Sequence, residues 1–578
     1  MSSEIKTVLV NDPRISRITS DIHVAVKEGP ASCVVQGYKT NSNSNSTTLF
    51  NVNVPSENTL VDRNLRVQAT LKLVMDLTMK EDTTTSEFFI VPAAFPLNQA
   101  LQSASLTLNN AKVSVQSADV LNVFTKQYDQ KFLSKHMQTS PSYVDKYFGL
   151  AKDGLNGTFN SAWGGGIENA EKDSDTAGRS DCELVYTLYK YVGDVLTLMV
   201  AEEPMVTGEK YVCEVSLVVN EPILGMPTLE FKEDEANFMG MNSLELVLQY
   251  NNFLNVFNCS QDCIKTVTPG TRYGTSVSSL FMTDDAKLMT RQMSLHPSQY
   301  AKLSAKNVLP FDELVAYKST IATLAPAATT VQGVQTQVIS MRQIPDKIYI
   351  LMRPTYNSQK PIYSNNLVLP ITGVNIVFNN KAGLLSEMSQ TDLYQMSRRN
   401  GSQQSWNEFR GTVRGASGYN SKYCGIGGVI VIDPVRDLGL DDILSSGSLG
   451  QFGFQAIVSG TTLVDHGVTN TELGTIELVV IASYGGCIIT QQGSSATMSG
   501  LLTKSSVLEA KESGKGAIDY ETLSEMSGGN LAKKGITAIG SLLKKNRGKI
   551  GDAVGKIIAG AGAYQTSGGA QSKLSKYA

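Results

Sequence analysis

The sequence predicts an all-β protein of two tandem β-sandwiches, each with an inserted helix, followed by a basic helical tail. Three observations support this prediction. Apolar and polar residues alternate along many short segments, which is typical of strands with one buried face. Turn-forming residues are abundant, with 49 glycines among 578 residues. A phrase of strand, Asn-Asn turn and helix occurs twice, and its two Asn-Asn pairs lie 270 residues apart.

The first half of the chain begins its strands after a polar arm. In LRVQATLKL (65–73) every second residue is apolar, which predicts a strand. SASLTLNN (103–110) follows as a strand and a turn. SADVLNVFTKQYDQKFLSKHM (117–137) has apolar residues every three or four positions, which predicts an amphipathic helix with Ser117 as its N-cap. The charged stretch EFKEDEAN (230–237) is interpreted as the end of this half.

The second half repeats this plan. SLELVLQYNNFLNVF (243–257) is interpreted as its entry strand, and GVNIVFNN (373–380) as the counterpart of SASLTLNN. In the helix SQTDLYQMSRRNG (389–401), Ser389 and Asp392 have the spacing of a capping box. Two copies of one sandwich explain the repeat; the alternative is a chance similarity between two short phrases. The expected division is an N-terminal arm (1–48), a first sandwich (49–235), a second sandwich (236–500), a linker (501–529) and a basic tail (530–578).

The net charge of the chain is −3, but the charge is unevenly distributed. Residues 530–578 carry nine basic side chains and one acid, so the tail is expected to have a partner of its own. The seven cysteines are odd in number and scattered, which disfavours a disulfide framework. The sequence shows neither an N-terminal apolar signal nor an apolar run of about 18 residues. The chain is therefore expected to be made in a reducing cytosol or nucleus.

Motifs that would indicate catalysis or metal binding are missing from the sequence. Cys259 and Cys263 are four positions apart, without a second ligand pair nearby, and are interpreted as structural. Neither a phosphate-binding glycine loop nor a nucleophile elbow is found. The four histidines lie far apart: His23, His136, His296 and His466. We therefore expect no catalytic residue, no metal and no cofactor, and a protein that is not an enzyme.

The basic tail has a helical pattern. LAKKGITAIGSLLKKNRGKIGDAVGKIIAGAG (531–562) places isoleucines and leucines at three-, four- and seven-residue spacings with lysines between them. Its glycines each weaken a free helix by roughly 1 kcal/mol relative to alanine. Such a helix can contact packaged nucleic acid, an anionic membrane or a partner groove, and an ordinary packed helix is the alternative. The residues expected to make the contact are Lys533, Lys534, Lys544, Lys545, Arg547, Lys549 and Lys556.

Several stretches resemble the double jelly-roll major capsid proteins of eukaryotic DNA viruses, above all those of polinton-like viruses and virophages. The resemblance covers roughly residues 45 to 500. It implies an all-β fold of two tandem jelly-roll β-sandwiches with inserted helices. The stretches that carry it are NVPSENTLVDRNLRV (53–67), FPLNQALQSASLTLNN (95–110), IPDKIYILMRP (344–354) and ITGVNIVFNNKAGLLSEMSQTDLY (371–394).

The resemblance also implies a function. Proteins of this family form homotrimers with a pseudo-hexameric outline, and these capsomers tile an icosahedral shell around double-stranded DNA in the virion. The implied partners are further copies of the chain, penton and minor capsid proteins, and viral DNA or an inner membrane for the tail. Assembly is implied to take place in the host cytoplasm or nucleus, and the role is structural.

A maturation protease is a further implied partner. Viruses of this group often carry a cysteine protease that cuts after a motif of Met, Ile or Leu, any residue, Gly and Gly. MSGGN (526–530) resembles this target. The resemblance implies cleavage between Gly529 and Asn530, with Met526 and Gly528 as recognition residues, and release of the basic tail.

A hypothesis from another class is a β-sandwich carbohydrate-binding fibre or adhesin. Such a protein would need an exposed aromatic platform on which sugar rings can stack. The chain has only two tryptophans, Trp163 and Trp406, both in polar surroundings. The sequence therefore favours the capsid hypothesis.

Overall fold

A computed structural model of the chain provides the fold. The residues it describes are 5–10, 22–27, 30–44, 46–56, 59–79, 82–84, 90–128, 130–136, 142, 147–148, 184–200, 202–226, 237–250, 256–259, 264–269, 281–282, 285–295, 307–320, 323–355, 368–411, 424–425, 427–440, 446–462, 475–491, 494–499 and 502–503.

Strands dominate these residues, with a few short helices between them. The strands are β1 (Ile5–Val10), β2 (Ile22–Lys27), β3 (Pro30–Lys39), β4 (Ser42–Asn43), β5 (Thr47–Asn53), β6 (Thr59–Val61), β7 (Arg66–Met79), β8 (Thr83–Thr84), β9 (Ile90–Pro92), β10 (Leu101–Leu108), β11 (Ala111–Val115), β12 (Tyr147–Phe148), β13 (Leu184–Val192), β14 (Val195–Leu198), β15 (Pro204–Met205), β16 (Lys210–Pro222), β17 (Ser243–Tyr250), β18 (Phe257–Cys259), β19 (Ile264–Pro269), β20 (Phe281–Met282), β21 (Lys287–Leu295), β22 (Asn307–Thr320), β23 (Thr330–Gln335), β24 (Ile339–Gln343), β25 (Lys347–Pro354), β26 (Ile371–Phe378), β27 (Lys381–Leu384), β28 (Cys424–Gly425), β29 (Ile430–Ile432), β30 (Ser448–Thr461), β31 (Ile476–Gln491), β32 (Ser494–Ser499) and β33 (Leu502–Thr503). The helices are Pro96–Ala100, Ser117–Phe124, Gln130–Lys135, Gln390–Arg399, Trp406–Arg410 and Pro434–Asp437.

The first sandwich consists of two antiparallel sheets, named here sheet 1A and sheet 1B. Sheet 1A has the strand order β3-β21-β7-β16-β13-β14, with the short strands β6, β19 and β20 added along it, and sheet 1B has the order β4-β5-β17-β10-β11. Period-two alternation produces the buried faces, because β7 buries every second residue from Val67 to Met79. These side chains form one core with residues of sheet 1B such as Phe50 and Leu246.

The second sandwich has the same construction, with sheets 2A and 2B. Sheet 2A has the order β22-β31-β25-β29, with β32 also paired to β31. Sheet 2B has the order β23-β30-β26-β27, and β24 and β33 also pair with β30. Its core brings Ile350 and Val480 of sheet 2A together with Ile376 and Phe454 of sheet 2B.

Both sandwiches are jelly rolls. In the first, the chain visits sheet 1A (β3), 1B (β5), 1A (β7), 1B (β10 and β11), 1A (β16), 1B (β17) and 1A (β21). In the second, it visits sheet 2A (β22), 2B (β23 and β24), 2A (β25), 2B (β26 and β27), 2A (β29), 2B (β30) and 2A (β31). The two windings are the same, and each is that of a jelly roll. The predicted fold of two tandem jelly rolls with inserted helices is confirmed.

The repeated phrase of the sequence is a repeated piece of structure. β10 and β26 have the same burial pattern along eight residues, and each has a register shift between its first and third residue. Each strand ends in a two-residue turn, where Asn109 and Asn379 have φ angles of 51° and 47°. Asparagine adopts this left-handed conformation more readily than most residues. A short strand and a helix follow in both sandwiches.

The boundary between the sandwiches differs from the predicted one. β17, interpreted above as the entry strand of the second sandwich, pairs with β5 and β10 of sheet 1B. β21 pairs with β3 and β7 of sheet 1A. Strand pairing therefore passes from the first sandwich to the second between Leu295 and Asn307, not near residue 235. The alternation in SLELVLQY predicts a strand but does not identify its partner.

Two local predictions have different outcomes. The capping box of Ser389 and Asp392 is confirmed, because each side chain accepts a hydrogen bond from the other residue's backbone N–H. The prediction that Ser117 is an N-cap is wrong. Ser117 is the first helical residue, and Gln116 occupies the N-cap position without a side-chain hydrogen bond. β3 also lies inside the predicted arm 1–48, although it is part of sheet 1A.

Candidate functional site

Sheet 2A is buried on both of its faces. On β25, Ile350 packs in the core of the second sandwich, whereas Tyr349 and Leu351 pack in the core of the first. The same alternation holds on β31, where Val480 faces its own sandwich and Val479 faces the other one. A sheet covered on both faces needs near-continuous apolar strands, which explains the apolar run of β25.

The layer between the sandwiches is mainly hydrophobic. Burial of one large apolar side chain contributes about 1.5–3 kcal/mol. Ten buried side chains from the second sandwich belong to the core of the first, so their summed burial exceeds the contribution of any single polar contact there. They are Leu309, Leu314, Tyr349, Leu351, Val368, Val429, Val431, Val479, Ile481 and Ile488.

A buried ion-pair network lies in the same interface. Arg353 of β25 donates through Nη2 to Asp119 Oδ1 at 2.5 Å and through Nε to Glu477 Oε1 at 2.6 Å. Its Nη1 donates to the carbonyl oxygen of Ala118 at 2.9 Å. Lys318 of β22 brings a second cation to 3.0 Å from Asp119 Oδ2. Asp119 and Ala118 belong to the first sandwich and the other three residues to the second, so the network joins the two.

The helix Ser117–Phe124 positions Asp119 for this contact. Val120 and Val123 bury one side of the helix in the core of the first sandwich. Asp119 lies in the first helical turn, where the helix dipole favours a carboxylate. Its side chain is 7% exposed and that of Arg353 is 2% exposed. Charges this deeply buried are tolerated only when they are paired and hydrogen-bonded.

A second buried ion pair joins the sandwiches just beyond the same helix. Lys126 Nζ lies 3.3 Å from Glu408 Oε1 and 3.4 Å from the carbonyl oxygen of Gly427. Burial lowers the pKa of Lys126, and the charge of Glu408 partly offsets this effect. Gln404 donates to both Glu408 and the Gly427 carbonyl. This pair is therefore part of a polar network that fixes the geometry of the contact.

The Asn-Asn turn of the first sandwich is a third polar contact. Asn109 Oδ1 accepts a hydrogen bond from Asn242 N at 2.8 Å, and its Nδ2 donates to Ser495 Oγ at 3.1 Å. Asn110 Oδ1 accepts from Ser495 N at 2.7 Å. Ser495 lies on β32, which continues sheet 2A beside β31. The turn that the sequence repeats is thus used in the first sandwich to bind the second.

Two further buried groups have shifted pKa values. Burial, with the charge of Asp312 next in importance, raises the pKa of Asp346 to about 7. Burial also lowers the pKa of His136 to about 4, and the charges of Arg66 and Lys135 add to this effect. Arg66 Nη2 lies 3.1 Å from His136 Nδ1. Because a guanidinium can only donate, Nδ1 is the acceptor, and the proton of the neutral ring is on Nε2.

The predicted cleavage motif at Met526, Gly528, Gly529 and Asn530 lies outside the described residues, as does the basic tail with its lysines. Trp406 is described. It is partly buried, with its ring centroid 5.3 Å from that of Tyr394, so it does not form an open platform for a sugar.

Among the described residues, no cluster of His, Cys, Asp and Glu has the arrangement of a metal site. Within the same part of the chain, no helix has the length and apolar character needed to cross a bilayer.

Sequence reasoning missed the residues that join the sandwiches. A signal was present in the apolar runs IYILM (348–352) and IELVVIA (476–482), which indicate strands buried on both faces. Arg353 directly follows the first run, and Glu477 interrupts the second. A charged residue next to such a run indicates a buried ion pair at the edge of the contact.

Two jelly rolls of the same winding, joined by a buried layer, define this molecule as a double jelly-roll protein. Family comparison identifies the group. The family described as Sputnik virophage major capsid protein 1st domain matches residues 3–293, and the major capsid protein V20 C-terminal domain matches residues 314–486. The chain belongs to the virophage major capsid protein family, and its place is in the virion capsid. The gap between the two matches, residues 294–313, contains the point where strand pairing changes sandwich.

Individual relatives agree with this assignment. The protein "Putative capsid protein V20" of Sputnik virophage is 24% identical over 581 aligned residues, which cover 96% of this chain and 88% of the relative. The fold is similar to that in the cryo-EM structure of Sputnik virophage, with a TM-score of 0.64, 21% identity and coverage of 87% and 95% of the two chains. The mavirus major capsid protein has a TM-score of 0.62, 17% identity and coverage of 88% and 98%. The carbohydrate-binding alternative is not favoured.

Proposed function

We propose that three copies of this major capsid protein form a pseudo-hexameric capsomer, and that these capsomers tile an icosahedral shell around double-stranded DNA. The duplication carries this proposal. One chain supplies two sandwiches with the same winding, so three chains related by a threefold axis supply six similar units. Such a unit has six neighbours of nearly equal geometry while its true symmetry remains threefold.

The interface between the sandwiches supports this role. Ten apolar side chains and two buried ion pairs hold the sandwiches together. A lattice subunit needs this fixed arrangement, because each sandwich must meet its neighbours at a set angle. The proposed work is enclosure and not turnover of a substrate, with penton and minor capsid proteins as partners in the shell.

The mass and outline of the purified chain test this proposal. Multi-angle light scattering is expected to give three times the chain mass of 62.3 kDa, and negative-stain images are expected to show particles with a hexagonal outline. A monomer or a dimer at micromolar concentration would contradict the trimer. A trimer with a round or triangular outline would contradict the pseudo-hexameric arrangement.

We further propose that a maturation protease cuts between Gly529 and Asn530 and frees the basic tail. The motif Met526-Ser527-Gly528-Gly529 supports this, and Thr566-Ser567-Gly568-Gly569 is a natural control, because it has the glycines without the apolar first residue. Mass spectrometry of purified particles is expected to show chains that end at Gly529. Intact chains, or equal cutting after Gly569, would contradict the proposal.

The tail is proposed to contact the enclosed DNA or an inner membrane through Lys533, Lys534, Lys544, Lys545, Arg547, Lys549 and Lys556. These contacts are electrostatic, so binding of the full chain to duplex DNA or to anionic vesicles is expected to weaken steeply with salt. A chain in which all seven are glutamine is the comparison. Equal binding by both chains would show that these seven residues do not make the contact.

A further inference from the structure

The second sandwich carries an uncovered copy of a surface that the first sandwich uses inside the chain. In the first, β11 and the helix Ser117–Phe124 contact β22 of sheet 2A. β11 accordingly buries Ala111, Val113 and Val115. The matching strand of the second sandwich, β27, leaves its first three residues, Lys381 to Gly383, exposed. The chain therefore has two such pairs of a strand and a helix. The first pair, β11 and Ser117–Phe124, covers a sheet of the same chain, whereas the second pair, β27 and Gln390–Arg399, does not.

The sheet that such a surface covers is also present twice. β3, β21 and β7 of sheet 1A occupy the places of β22, β31 and β25 of sheet 2A. The outer face of sheet 2A is buried by the first sandwich, whereas on the outer face of sheet 1A several side chains are exposed within the part of the chain that the structure describes. On it, Val35 is 64% exposed, Val185 is 60% exposed and Leu198 is 56% exposed. These side chains lie on β3, β13 and β14, and the covering of the equivalent face of sheet 2A suggests that another chain covers this one.

A row of residues across three neighbouring strands occurs in both sheet 2A and sheet 1A, and in each sheet it contains charged side chains. On sheet 2A, Thr320, Glu477 and Arg353 lie side by side across three strands. Arg353 of this row binds Asp119 of the covering helix. The helix supplies the acid and the sheet supplies the base.

The corresponding row of sheet 1A is basic. Lys39 at the end of β3 lies directly opposite Lys287 at the start of β21, and Gln68 of β7 lies beside them. Like charges that face each other across antiparallel strands repel. An acidic side chain from outside would relieve this repulsion, so the row is suited to an acidic partner.

The helix Gln390–Arg399 carries an acid at the matching position. Asp392 follows Asp119 by 273 residues and lies in the first turn of its helix. Asp119 is buried against the neighbouring sandwich, whereas Asp392 is exposed. Asp392 Oδ2 accepts from the Ser389 backbone and hydroxyl at 3.0 and 2.7 Å. These bonds hold the carboxylate at the helix start, facing away from the core of its own sandwich.

We propose that β27 and the helix Gln390–Arg399 of one chain cover the outer face of sheet 1A of the next chain, with Asp392 against Lys39 and Lys287. This inference rests on the proposed trimer and identifies the two surfaces that close it. The contact is head-to-tail, and three copies related by the threefold axis of the proposed trimer would close it into a ring. Each contact between chains then repeats the contact between the sandwiches within one chain.

A charge reversal in the full-length chain tests this contact. Lys287→Glu places an acid opposite Asp392, and we expect the concentration at which the trimer dissociates to rise about tenfold or more. Adding Asp392→Lys to Lys287→Glu restores opposite charges. We expect this double variant to dissociate at a concentration close to that of the unmodified trimer. The Ser389 hydroxyl still accepts the backbone N–H of residue 392 in that variant, so the helix keeps its cap.

The control is Lys112→Glu, which reverses an exposed lysine on β11 away from both surfaces. Mass photometry over a dilution series measures dissociation, and thermal unfolding checks that each variant folds. If the unmodified chain is not a trimer, the proposed function fails. If the unmodified chain is a trimer and Lys287→Glu dissociates no more readily than Lys112→Glu, or Asp392→Lys gives no rescue, the trimer stands and the assigned contact is wrong.

Discussion

Asp119 and Arg353 are 234 residues apart in the chain, and in the fold Arg353 Nη2 lies 2.5 Å from Asp119 Oδ1. One belongs to the inserted helix of the first jelly roll and the other to a central strand of the second. Their contact is side-chain to side-chain, and it is enclosed by the apolar layer on sheet 2A. The relative position of the two jelly rolls is therefore specified by both shape and charge.

Replacement of Arg353 should destabilise the whole molecule. Arg353→Ala leaves the carboxylates of Asp119 and Glu477 buried without their shared cation, and breaking a buried pair in this way costs about 3–5 kcal/mol. Equilibrium unfolding in denaturant measures the change. Arg342→Ala is the control, because Arg342 of β24 is exposed and most surface substitutions change stability by less than about 0.5 kcal/mol. Similar losses in both variants would contradict the role given to Arg353.

The two Asn-Asn turns should respond differently to glycine. Glycine adopts the left-handed conformation of Asn109 and Asn379 without strain. Asn109→Gly, however, also removes side-chain hydrogen bonds to Asn242 and Ser495, so we expect a loss of about 1–3 kcal/mol in the free energy of unfolding. Asn379→Gly should change it by less than about 0.5 kcal/mol. Equal effects would show that the Asn109 side chain does not stabilise the contact between the sandwiches.

Asp346 should make the protein less stable as the pH rises. Its folded-state pKa is raised to about 7 from an ordinary value of 3.8. Between these values the unfolded chain releases the proton and the folded chain keeps it, so stability falls from about pH 4 to about pH 7. Asp346→Asn imitates the protonated carboxyl and should remove this slope. Melting temperatures from pH 4 to pH 8 measure it, and an unchanged slope in the variant would contradict the assignment.

His136 should produce the opposite dependence. Its folded-state pKa is lowered to about 4 from 6.5, so the unfolded chain binds a proton that the folded chain does not, and stability falls as the pH drops from about 6.5 to about 4. His136→Gln keeps an acceptor for Arg66 and should flatten this slope. The comparison is best made with Asp346→Asn present in both proteins, because the two slopes oppose each other. Equal acid sensitivity with and without His136 would reject this explanation.

The sequence was sufficient for the class of fold because jelly-roll strands with one open face alternate visibly. β7 and β10 each have one buried face, and their period-two pattern predicts them directly. The Asn-Asn turns and the capping box of Ser389 and Asp392 were equally local, so the repeat was visible as well. The start of the first inserted helix was an exception, because its N-cap is Gln116 and not the predicted Ser117.

Partners across the fold were not predictable in the same way. SLELVLQY gives the same alternation whichever sheet it joins, and its place in sheet 1B is decided by pairing with residues about 140 and 200 positions earlier. The contact of Asp119 with Arg353 likewise depends on how one jelly roll lies on the other. A single sequence does not show which distant residues come into contact. The apolar runs of β25 and β31 nevertheless indicated that sheet 2A is buried on both faces.

The fusion of two jelly rolls in one chain has an arithmetic consequence for a closed shell. A ring built only from these chains contains an even number of jelly rolls, because the buried layer on sheet 2A keeps them in pairs. An icosahedral surface requires twelve vertices with fivefold symmetry, and five is odd. A vertex ring of five single jelly rolls would therefore need a different polypeptide, in line with the penton protein proposed above as a partner.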